Sequence, residues 1–161
     1  MRQLRILDVT ADGCCLALYG DLVLHYHMMP SMDESLARFL RILDSAKRSR
    51  KRAALLVVGA AVRSPSESTR VLLHSFLTKY SAHILASGIL ILGNRFSAAT
   101  HRASMSRLRL NAPAPYPSDI FTEQSKAAAW LASCLDGHSS YEISSAITEL
   151  MQPRRPAESR T

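Results

Sequence analysis

An unbroken apolar run, AALLVVGAAV, occupies Ala53 to Val62. A strand with one wet face alternates polar and apolar residues. A short run with no alternation reads instead as a strand covered on both faces, the signature of a central position in a parallel sheet. Helical spacing flanks it on both sides. Met32, Leu36, Phe39, Leu40 and Leu43 recur at helical intervals before it, and Leu72, Leu73, Phe76, Leu77 and Tyr80 do so after it. A second apolar run, Ile84 to Leu92, follows. Strand-helix-strand units of this length predict a mainly parallel sheet joined by right-handed crossovers.

The N-terminal quarter reads differently. Leu4 to Thr10 alternates weakly, and Asp12-Gly13 lies between it and the next apolar run, which is a hairpin signal. Cys14 to Met29 then reads as one further strand, bent near Gly20-Asp21, with Leu16, Leu18, Leu22, Leu24 and Tyr26 along one face. The first helix starts at Ser31, which with Glu34 matches a capping box, and ends in the cations Lys47 to Arg52. Ser97 opens a third helix that stops by Asn111-Ala112-Pro113. Asp119-Ile120-Phe121 reads as a short edge strand, followed by an Ala-rich helix through Trp130 to Leu135. Asp136-Gly137 breaks that helix, and Tyr141 to Met151 forms the last one.

The expected fold is therefore a single α/β domain: a mixed, mainly parallel sheet of about five strands with an N-terminal hairpin, and about five helices. Residues 1–137 make the domain. Residues 138–152 add a helix that packs on it or pairs with a second copy, and 153–161 form a flexible tail.

Formal net charge is +7 and the pI is near 9.8, which suits an acidic partner. Three cysteines make no disulfide framework, and no apolar stretch has the length of a signal peptide or a membrane span. These features predict a cytoplasmic protein without a membrane span.

In strand-helix-strand units the carboxyl ends of the strands share one rim, where open α/β sheets bind ligands. That rim gathers His25 to Met29, Arg63 to Thr69 and Asn94 to Ser97. The run Lys47 to Arg52 belongs to the opposite rim and lacks interleaved aromatics for base stacking, so a nucleic acid ranks below a protein partner. No Gly-rich phosphate loop with its Lys, no G-x-S-x-G turn, no C-x-x-C and no H-E-x-x-H occurs. In a straight strand Cys15 and His25 stand roughly 33 Å apart, which separates the cysteines from the His25/His27 pair. Neither a metal nor another cofactor is expected, nor a catalytic group. In Ser64-Pro65-Ser66-Glu67, Ser64 suits a helix cap, Pro65 the first helical position and Glu67 the third. Ser66, Ser68 and Thr69 remain near free amides at a helix start, where an anion is stabilised.

The element order, the apolar strand running into the Ser-rich helix start, and the closing stretch Ile120-Phe121-Thr122-Glu123-Gln124-Ser125-Lys126-Ala127 before Trp130-Leu131 resemble the STAS domain. This is the fold of bacterial anti-sigma-factor antagonists, and the likeness is to divergent bacterial STAS/CRAL-TRIO-like relatives, over Leu4 to Leu135. The resemblance implies signalling through protein–protein contact, with a serine or threonine after the central strand phosphorylated by a partner kinase. Ser64 or Ser66 occupies that position. The family's Asp-Ser/Thr-Ser/Thr-Gly context is replaced by Arg63-Ser64-Pro65-Ser66, which lacks both the acid and the glycine.

The function expected is that of a non-enzymatic regulatory or scaffold protein. Its candidate partner- or anion-binding residues are Arg63, Ser64, Ser66, Ser68, Asn94, Arg95, Ser97 and Arg102. A carrier of a lipid or anionic small molecule is the alternative, and a small hydrolase-like enzyme the third.

Overall fold

The computed structural model describes residues 3–9, 13–27, 44, 52–60, 67–93 and 114–153. One sheet of six strands runs through them in chain order: β1 (Arg5–Val9), β2 (Cys15–Tyr19), β3 (Leu22–His27), β4 (Ala53–Ala60), β5 (Ile84–Leu92) and β6 (Ser118–Phe121). β1 to β3 form an antiparallel meander, and β3 to β6 run parallel. The α/β class and the mixed, mostly parallel sheet are as the apolar runs predict. The strand number is not, because the stretch read as one bent strand is two.

The reason is the turn at Gly20-Asp21. Gly20 takes φ 59°, a left-handed conformation open to glycine, and Tyr19 pairs directly with Leu22. Gly-Asp between two apolar runs is a two-residue hairpin signal. The fold-back also reverses the assignment of faces. Tyr19 and Leu22 share one face, so Leu16 and Leu18 fall opposite to Leu22 and Leu24 rather than beside them.

Three α-helices have described bounds: α1 (Glu67–Lys79), α2 (Gln124–Cys134) and α3 (Ser140–Leu150). The helices expected after Ser31 and from Ser97, with the caps at Ser31 and Ser64, lie outside the described residues. Among the described residues no helix is long and apolar enough to cross a membrane.

Each face of the sheet has its own apolar layer. On the first, Leu22, Leu24, Leu56, Val58, Leu90 and Phe121 meet Leu131 of α2 and Ile143, Ile147 and Leu150 of α3. Each fully buried Leu or Ile there contributes about 1.5–3 kcal/mol relative to exposure. The additional C-terminal helix thus spends its apolar stripe on the chain's own sheet. On the second face Leu16, Val23, Leu55, Ile84, Tyr80 and Tyr116 cluster, with Leu77 of α1 against them.

Two local devices set how α2 and α3 seat. Gly88 leaves room for them: a Cβ there would lie 3.0 Å from Leu56 Cδ1 and 3.5 Å from Trp130 Cζ3. Trp130 in turn packs on Phe121 with ring centroids 5.3 Å apart. α3 begins with a complete capping box, Ser139 accepting from the Glu142 amide and Glu142 accepting from the Ser139 amide. Gln124 Nε2, at the start of α2, donates to the Ser144 carbonyl at 2.9 Å and to Thr148 Oγ1 at 2.8 Å, tying the two helices side by side.

Candidate partner-binding rim

The parallel strands end together. His27 stands opposite Gly59, Ala60 opposite Leu92, and Leu90 opposite Phe121. The carboxyl ends of β3, β4, β5 and β6 therefore form one rim, and the chain leaves the sheet there toward residues 28, 61, 94 and 122. The central pair is β4 beside β5. Their parallel register, from Ala54 opposite Ala86 to Ala60 opposite Leu92, places their carboxyl ends next to one another.

Of the candidate residues read from the sequence, Ser68 is the second residue of α1 and follows β4 at this rim. Its side chain lies outside the description. Arg63, Ser64, Ser66, Asn94, Arg95, Ser97 and Arg102 lie outside the described residues. The strands that carry the flanking chain are nevertheless adjacent, as the rim expectation requires. Of the basic run, Arg52 is described and exposed, just before β4 at the opposite end of the sheet.

The rim also holds a polar cluster that the sequence reading separated. Cys14 Sγ is 3.4 Å from His27 Nδ1, and the His25 and His27 rings lie 5.8 Å apart between centroids. All three side chains are buried, at 6%, 8% and 4% exposure for Cys14, His25 and His27. The β2–β3 hairpin accounts for this. Cys15 pairs with Tyr26, so Cys14 comes to lie beside His27, while His25 and His27 share a face at positions two apart. The extended-strand distance that kept cysteine and histidine apart does not apply. The sequence signal that places them together is the Gly20-Asp21 turn. Among the described residues, no three His, Cys, Asp or Glu side chains converge on one metal position as they stand.

The opposite rim has polar groups of another kind. Tyr80 donates to Asp44 Oδ1 at 2.5 Å, and that hydrogen bond, followed by burial and the carboxylate charge, raises the phenol above its usual range. Tyr116 is buried in the second apolar layer, and desolvation pushes its pKa up to about 12. Its hydroxyl has no hydrogen-bond partner among the described residues.

No family model, curated protein or solved structure matches this chain.

Proposed function

We propose that this chain is a STAS-like, non-enzymatic interaction module of the cytoplasm, binding a protein partner through the rim at the carboxyl ends of β3 to β6. The observation that carries the reading is the level ending of four adjacent parallel strands, with α1 starting from the same rim. A sheet of this kind presents several loops side by side, so residues distant in sequence address one surface. In this reading Arg63, Ser64, Ser66 and Ser68 after β4, and Asn94, Arg95, Ser97 and Arg102 after β5, form the recognition surface. The arginines there select an acidic partner face, in keeping with the net charge of +7. No disulfide joins the three cysteines, which suits a reducing compartment.

Capture from a bacterial lysate on the full chain, followed by mass spectrometry, tests the reading. Arg63→Glu and Arg95→Glu are expected to lose the captured protein while a charge reversal at the other rim, Arg52→Glu, retains it. Phosphate on Ser64 or Ser66 is read in the same spectra. Turnover of a phosphoester or ester panel that disappears with rim substitutions would overturn it.

A further inference from the structure

We draw no further inference here: the strongest candidate, the second apolar layer of the sheet around the buried Tyr116 hydroxyl, carries nothing because, beyond Leu77 of α1, nothing among the described residues shows what covers that face.

Discussion

At single positions, the two faces of the sheet make opposite demands. Tyr116 brings a hydroxyl into an apolar layer where it has no partner among the described residues, and burial holds its pKa at about 12 against an ordinary 10.0. Removing that oxygen removes a desolvated group and no hydrogen bond. Tyr116→Phe is therefore expected to leave stability unchanged at neutral pH or raise it by up to about 1 kcal/mol. The pH dependence has a definite sign. The folded pKa lies above the unfolded one, so the stability involved is complete below about pH 10 and declines as pH rises toward about 12, where the unfolded chain has released the proton and the folded chain still holds it. Urea titrations across that window should show the decline in the parent and its reduction in the phenylalanine variant. Gly88 makes the contrary demand, for emptiness. Even a methyl there meets Leu56 at 3.0 Å, so Gly88→Val, which adds two carbons more, is expected to cost about 1–3 kcal/mol through overpacking against Leu56 and Trp130.

Among the elements, α3 shows how a local signal and a long-range contact combine. Its start is encoded within four residues, Ser139 to Glu142, by reciprocal bonds that satisfy free amides. Ser139→Ala is expected to lower unfolding free energy by about 1 kcal/mol, seen as a lower urea midpoint at unchanged slope. Its position is set by Ile143, Ile147 and Leu150 against the sheet and by Gln124 from α2. The β2–β3 hairpin is the converse case. Its strands are recognisable as apolar segments, but which face each side chain takes depends on the two-residue turn between them. Read as one strand, Leu18 and Leu22 share a face; with Tyr19 paired to Leu22 they do not. The edges are handled locally too. β1 carries a register shift between Ile6 and Asp8, which interrupts a template for further strands.

For the whole molecule, the last helix is part of the core rather than an appendage. Ending the chain at Gly137 would strip Ile143, Ile147 and Leu150 from the first apolar layer and open the sheet beneath them. That truncated chain is expected to bind a hydrophobic dye and to lose its cooperative thermal transition, measured beside the full chain. A second copy cannot use that stripe, so any self-association must employ another surface. The partner recognition proposed above belongs to this scale as well, since the rim exists only because four strands end together. The chain's own residues determined the class of the fold, most strand and helix positions, and the parallel order from β4 onward, because periodicity and apolar runs act over a few neighbouring residues. Ser64 and Pro65 read as helix-start chemistry by the same local logic, a reading that falls outside the described residues. Only the tertiary structure decided that Cys14 meets His27, that Leu16 and Leu22 face opposite layers, and that α3 closes the core. Each depends on pairing across a turn or between layers, where a shift of one residue exchanges the faces and the local pattern carries no record of which partner is chosen.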